Sequence, residues 1–199
     1  VENKRTTIME FGTGWSTLVM ANALNKLQLK YMDALTKVRR NNLFELHSVD
    51  DEPEFIEISK TRIPKYLKDT VQVHYSKVVM GKFNDRYCTY YEELPLISPD
   101  FIYVDGPNQF NVQGTISGWN TRHNDMMPMI GDILRIEHFL IPGTIILFDG
   151  RAANARFFKC NSQRKWSYNH DSRYDQHIFQ LDEKPLGPFS DNLFKFWNS

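Results

Sequence analysis

Residues 6–16 read TTIMEFGTGWS, and the fold turns on how that stretch is read. The β-favouring run Thr6–Phe11 stops at Gly12. From Ser16 onward, apolar or aromatic residues recur at Met20, Leu24, Leu27, Tyr31, Leu35 and Val38. Steps of three and four keep one face of a helix apolar. Arg39-Arg40 suit the negative end of that helix, and Asn41-Asn42 suit the left-handed turn that ends it. A strand, a glycine loop and a helix therefore follow in order. Gly12 and Gly14 permit a tight turn and close approach of a ligand. The loop is not a dinucleotide fingerprint, since Thr17 stands where a third glycine belongs. It lacks the Gly-Lys-Ser/Thr of a P-loop, and Leu18 breaks the nucleophile-elbow pattern that Gly14-Trp15-Ser16 begins. What remains is a glycine loop preceded by a carboxylate, Glu10. An anion there opposes a pyrophosphate and suits an ammonium or sulfonium group. The alternative is an ordinary strand-end Glu before a plain turn.

Outward from this stretch, strand and helix patterns alternate. Leu43–Val49 reads as a strand ending at Asp50-Asp51, and Glu52-Pro53 as the start of a helix carrying Phe55, Ile58 and Ile63. Thr70–Tyr75 reads as a third strand. Ser76–Pro99 is poorly patterned, with Tyr87–Tyr91 as a short extra strand. Asp100–Val104 is a compact strand bounded by Asp105-Gly106-Pro107. Residues 108–124 form a polar loop longer than structural economy requires. A helix with Met129, Ile133, Ile136 and Leu140 on one stripe precedes the strand Thr144–Phe148, which ends at Asp149-Gly150. A helix over Arg151–Asn161 and two strands, Lys165–Tyr168 and Gln176–Leu181, complete the order. Alternation of this kind builds a parallel sheet with helices on both faces. The last two strands share a short polar turn and must be antiparallel. The expected class is α/β: a three-layer α-β-α sandwich around a mostly parallel seven-stranded sheet with a C-terminal antiparallel pair. One domain over residues 1–199 is expected, with 108–124 as a candidate substrate lid. Ligands of such sheets bind beyond the carboxyl ends of the strands, where Asp50, Asp105 and Asp149 sit.

Composition narrows the partners. The 199 residues carry 24 Lys plus Arg against 24 Asp plus Glu, so the formal net charge is zero. An extended nucleic-acid surface needs a basic excess, and RNA is disfavoured further by the lack of a basic run interleaved with aromatics. Hydrophobic residues at 41% and aromatics at 14% are ample for a packed core. No apolar run reaches the roughly 20 residues of a membrane span. Two cysteines, Cys88 and Cys160, form neither a disulfide framework nor a C-x-x-C pair. There is no signal-peptide pattern, although a segment upstream of Val1 stays open. A reducing, cytoplasmic setting is the expectation. Nothing specifies an oligomeric state.

Glu10-x-Gly12-x-Gly14-x-Ser16 resembles motif I of class I S-adenosylmethionine-dependent methyltransferases. The strand ending at Asp50, the run DFIYVDGP over residues 100–107 and the terminal strand pair follow in that family's order. The likeness spans about Thr6–Glu183, with a long gap from Gly12 to Asp50. The strand ends VDGP and ILFDG look like the small-molecule branch and favour O-methyl transfer. The resemblance implies an enzyme using S-adenosyl-L-methionine on a small-molecule acceptor. It implies that Glu10, Gly12, Gly14 and Ser16 hold the methionine part, that Asp50 accepts the ribose hydroxyls, and that Ser76 touches the adenine. Asp51 could instead serve as a helix cap. Two rivals stand beside it: an NAD-type oxidoreductase on a similar sheet, and a non-catalytic binding module with the same fold.

Methyl transfer to a hydroxyl needs a base. Asp105 is the first candidate, since its strand should adjoin the first; otherwise it caps the Gly106-Pro107 turn or binds the cofactor's amino group. His123, near Asp125 at the end of the long loop, is the second, with plain solvation as its alternative. Asp149, Arg151 and Trp119 are the candidate substrate contacts. Arg151 would share an anion with a helix N-terminus, or simply pair with Asp149. Trp119 and Phe110 would exclude water from the site or pin the loop to the body. Asp105 and Asp149 also resemble the carboxylates of metal-dependent catechol-type methyltransferases. That subgroup expects an acid or amide where Gly150 stands, so no metal is expected. The histidines show no H-x-x-x-H spacing, which disfavours zinc.

Overall fold

Every residue of the first strand, β1 (Thr7–Phe11), is buried, and such a strand belongs in the interior of a parallel sheet. In the computed structural model, which describes residues 2–35 and 38–199, it is followed by α1 (Trp15–Tyr31), β2 (Glu45–Asp50), α2 (Pro53–Arg62) and β3 (Val71–Tyr75). A hairpin of β4 (Val78–Phe83) and β5 (Arg86–Tyr91) comes next, then β6 (Phe101–Val104), α3 (Asp132–Ile136) and β7 (Ile145–Asp149). The chain closes with α4 (Ala152–Asn161), β8 (Trp166–Asp171), β9 (Gln176–Leu181) and α5 (Pro188–Trp197). Seven strands form one sheet in the order β3-β2-β1-β6-β7-β9-β8, and β4-β5 form a separate antiparallel pair. The pairings β3-β2, β2-β1, β1-β6 and β6-β7 are parallel, while β9 runs against both β7 and β8. The mostly parallel seven-stranded sheet and its antiparallel closing pair agree with the sequence reading.

Alternate residues of the central strands enter different cores. Met9, Phe11, Val49, Ile102, Val104, Ile146 and Phe148 cluster with Ile133 and Leu134 of α3 and Phe157 and Phe158 of α4. Ile8 and Leu46 cluster with Ala21 and Leu24 of α1. The buried stripe of α1, Thr17, Ala21, Leu24 and Leu27, has the spacing of one helical face. At the opposite end of the sheet from the glycine loop, the Asp100 carboxylate accepts the Thr6 and Thr7 amides at 2.9 Å and the Thr6 hydroxyl at 2.8 Å. Those bonds fix β6 against β1 before the ladder begins.

Several boundaries differ from expectation. Helix α1 stops at Tyr31, and a 3-10 turn covers Asp33–Leu35. Residues 36 and 37, which the longer helix would have included, lie outside the described residues. Leu35 turns inward with Phe44 against Leu193, Phe196 and Trp197 of α5, a helix absent from the sequence reading. Phe44, rather than Asn41-Asn42, takes the left-handed conformation, at φ 64°. On α2 the buried residues are Ile56 and Ser59, one position away from the expected Phe55 and Ile58. Met129 precedes α3, because its carbonyl is taken by the Thr89 amide of β5. Residues 108–124 are tied to the hairpin: the Met80 amide donates to the Gln113 carbonyl and the Gln113 amide to the Val78 carbonyl. No helix among the described residues is long and apolar enough to cross a membrane.

Candidate functional site

A cleft of about 590 Å³ opens at the carboxyl ends of β1, β2 and β6. Gly12, Gly14, Ser16, Asp50, Asp105 and Arg151 line it, as the sequence reading required of residues meant to act together. Asp51, Phe55 and Tyr103 line it as well, and none of these was expected.

The glycine loop is held from three sides. Gly12 has φ 96°, and a β-carbon on it would fall 2.7 Å from the Gly106 amide nitrogen. Its glycine is therefore required by the crossing of two loops, since the Asp105 and Gly106 amides both donate to the Phe11 carbonyl. Gly14 is extended, and a β-carbon there would meet only the Ser16 hydroxyl, at an ordinary 4.0 Å. Asp50 accepts the Thr13 amide at 2.7 Å and the Glu52 amide at 2.8 Å. One carboxylate thus anchors the loop after β1 and the turn into α2.

Glu10 is fully buried and does not line the cleft. Its two oxygens accept the Ser16 hydroxyl at 2.5 Å and the Thr17 hydroxyl at 2.6 Å, both in the first turn of α1. Burial pushes its carboxyl up to about 7, against the pull of those hydroxyls. Here Glu10 braces the loop from beneath, and Ser16 is the group that joins it to the cleft.

Asp51, read from the sequence only as a possible helix cap, is the more available acceptor. It is 4% exposed, and its Oδ2 has no hydrogen-bond partner among the described residues. Desolvation, and then the neighbouring Asp50 charge, raise its pKa to about 6. Burial also raises Asp50, against the two amides that donate to it. The helix-entry role considered for Asp51 falls to Asp50, through the Glu52 amide. Adjacent acids at a strand end cannot be assigned from sequence, because they point to opposite faces.

Across the cleft, Arg151 Nε lies 3.5 Å from Asp105 Oδ1. The same guanidinium donates to the Asp105 carbonyl and, at 3.0 Å, to the Pro107 carbonyl. The expected ion pair with Asp149 is replaced by this staple across the β6 loop. Burial raises the Asp105 carboxyl, and Arg151 opposes the rise. Asp149 instead accepts the Tyr103 hydroxyl. That bond follows burial in raising the Tyr103 pKa.

Asp149, like Glu10, does not line the cleft and meets it only through Tyr103, and three further expected residues lie elsewhere. Ser76 is buried, and its hydroxyl accepts the Glu93 amide at 2.9 Å, which ties β3 to the segment after the hairpin. His123 is exposed and accepts the Asp125 amide at 3.1 Å. Trp119 belongs to a second cavity of about 380 Å³, with Met80, Cys88, Met126 and Met129. Nothing in the sequence distinguished loop residues that enter the cleft (Asn108, Gln109) from those that cover the hairpin.

The cleft's acidic balance decides what it can hold. Asp50, Asp51, Glu52 and Asp105 line it, against one guanidinium already committed to Asp105 and two carbonyls. Hydroxyl and cationic groups fit such a surface, and a pyrophosphate does not. No family model and no curated protein matches the chain. Among solved structures, an uncharacterized protein from Listeria monocytogenes serotype 4b is similar over 98% of this chain and 68% of its own. The identity is 10% and the TM-score 0.35. That likeness carries neither fold nor function to this chain.

Proposed function

We propose that the protein is an S-adenosylmethionine-dependent methyltransferase acting on a small molecule, with a hydroxyl oxygen as acceptor. The observation that carries this reading is the buried Asp51 Oδ2, without a hydrogen-bond partner among the described residues, beside Asp50 in a cleft that also contains the glycine loop. A vicinal diol wants two close acceptors. Asp51 supplies a free oxygen, and each Asp50 oxygen keeps a lone pair beyond its backbone amide. The two separate cores on alternate residues of β1 support the finer architecture, with helices on both faces of the sheet in three layers.

The bound cofactor supplies an electrophilic methyl on a sulfonium. The chain's own work is to orient the acceptor and to take its proton. Asp105 is the carboxylate on the β6 side of the cleft, and Arg151, with Nε 3.5 Å away, holds it and opposes the rise of its pKa. Tyr103 and Asp149 form a hydrogen-bonded pair at its flank.

Thermal unfolding tests the reading. S-adenosylhomocysteine should raise the midpoint in a concentration-dependent way, because a ligand that binds only the folded state stabilises it. NAD should leave it unchanged. A rise with NAD alone would favour the oxidoreductase rival.

A further inference from the structure

Outside the cleft, two imidazoles and a carboxylate converge at the turn of the closing hairpin. The β8-β9 register pairs His170 with His177, and Asp175 sits in the turn two residues before His177. His170 Nε2 lies 3.2 Å and His177 Nε2 3.8 Å from the same oxygen, Asp175 Oδ1. The rings stack with centroids 4.2 Å apart, and the ligand atoms of all three residues fall within 4.8 Å of one another. His177 is 7% exposed, and its Nε2 has no hydrogen-bond partner among the described residues. Its other nitrogen, Nδ1, is 2.9 Å from the Tyr168 hydroxyl. In the tautomer that donates Nδ1–H to Tyr168, the buried Nε2 turns a lone pair toward a carboxylate. The buried Nε2 and the solvent-facing Asp175 oxygen are two electron-rich atoms turned toward each other, and a cation between them would satisfy both.

We propose that His170, Asp175 and His177 bind one divalent transition-metal ion of the zinc class. Two neutral imidazoles and one carboxylate match the three-ligand sites that leave a fourth position for water. Tetrahedral bonds near 2 Å place ligand atoms about 3.3 Å apart, against 3.2 and 3.8 Å from the two imidazoles to Asp175 Oδ1 and a 4.8 Å limit for the whole set. Coordination needs the rings to splay from their stack, a rotation about the soft χ2 torsion of histidine. The site was invisible to ligand spacing within a helix because strand pairing, not helical pitch, brings its residues together. It borders the cleft: the Asp175 carbonyl accepts the Gly150 amide at 2.9 Å, one residue before Arg151. The ion would fix the hairpin end against that segment.

Equilibrium dialysis of the full chain with zinc chloride, followed by calorimetry, tests the proposal. One equivalent should bind, and His170→Ala should weaken binding by roughly 100-fold or more, beyond what loss of a ligand's supporting partner costs. His170 is exposed, so this variant keeps the fold, which far-ultraviolet circular dichroism would verify. His138→Ala should bind as the parent does. Cobalt substitution should give visible absorption that disappears in His170→Ala and in His177→Gln. Absence of binding, or binding unchanged in both variants because the metal sits elsewhere, for instance at exposed Cys160, would overturn the proposal.

Discussion

The Asp50 carboxylate accepts the Thr13 amide at 2.7 Å, so the end of β2 holds the loop that follows β1. Its other oxygen takes the Glu52 amide. Asp50→Ala leaves two amides without an acceptor and removes a charge from the cleft. A loss of about 1 to 3 kcal/mol in stability is expected, read by urea denaturation. Asp51→Ala removes an oxygen that has no partner among the described residues, together with the carboxylate's contact to the Asn108 amide. It should cost little stability, or even add some, while weakening the cofactor product about tenfold or more. Equal stability losses in the two variants would mean that Asp51 is structurally engaged.

Stability should fall as pH rises through neutrality. Glu10 has its carboxyl raised to about 7, and so does Asp132, another deeply buried acid, which accepts the Tyr91 amide. In both cases burial is the leading cause. An acid whose folded pKa lies above its unfolded value keeps a proton that the unfolded chain releases. Its contribution is complete below about 4.5 and is lost as pH rises to about 7. For Glu10 this amounts to about 2 to 4 kcal/mol. Denaturation at pH 5 and pH 8 measures the slope. Glu10→Gln should reduce it, leaving the Asp132 share, since the amide can still meet Ser16 and Thr17 without ionising.

Asp105 and Arg151 should separate chemistry from binding. Asp105→Asn should lower turnover by roughly 100-fold or more with cofactor affinity nearly intact. Arg151→Ala removes the cation that opposes the rise of the Asp105 carboxyl. The acidic limb of the turnover–pH profile should then move to higher pH. Comparable losses of turnover and affinity in Asp105→Asn would place this carboxylate in contact with the cofactor instead.

Asp100 joins the starts of β1 and β6 through bonds to Thr6 and Thr7 in a fully buried setting. Asp100→Ala should cost roughly 2 to 4 kcal/mol, measured as a shift in the denaturation midpoint with an unchanged slope. A neutral variant would show that the ladder alone sets the register.

The inner parallel strands β1, β6 and β7 were legible because each is a short, largely apolar run closed by Asp or Gly, whereas β3, VQVHY before Ser76, showed only through alternation. Of the β4-β5 hairpin, β5 was read at Tyr87–Tyr91, but β4 and the pairing were not, because the turn, Asn84-Asp85, takes positive φ at both residues without the usual glycine. Helix α5 hid behind Gly187-Pro188, a pair that reads equally as a tail turn or as a helix entry with Pro at its first position. Its Leu193, Phe196 and Trp197 then explain why the stripe of α1 seemed to run on to Leu35: those apolar residues face α5 from a 3-10 turn. At the cleft, residue types and order were readable. Which of two adjacent acids keeps a free oxygen, and whether Glu10 faces a ligand or its own helix, depended on side-chain direction, which no spacing encodes.

The central claim is tested most directly by calorimetric titration with S-adenosylhomocysteine, run beside NAD. The intact protein should bind S-adenosylhomocysteine, weakened about tenfold or more by Asp50→Ala and by Asp51→Ala, with no heat from NAD. Failure of the intact protein to bind it, or binding indifferent to both substitutions, would contradict the account.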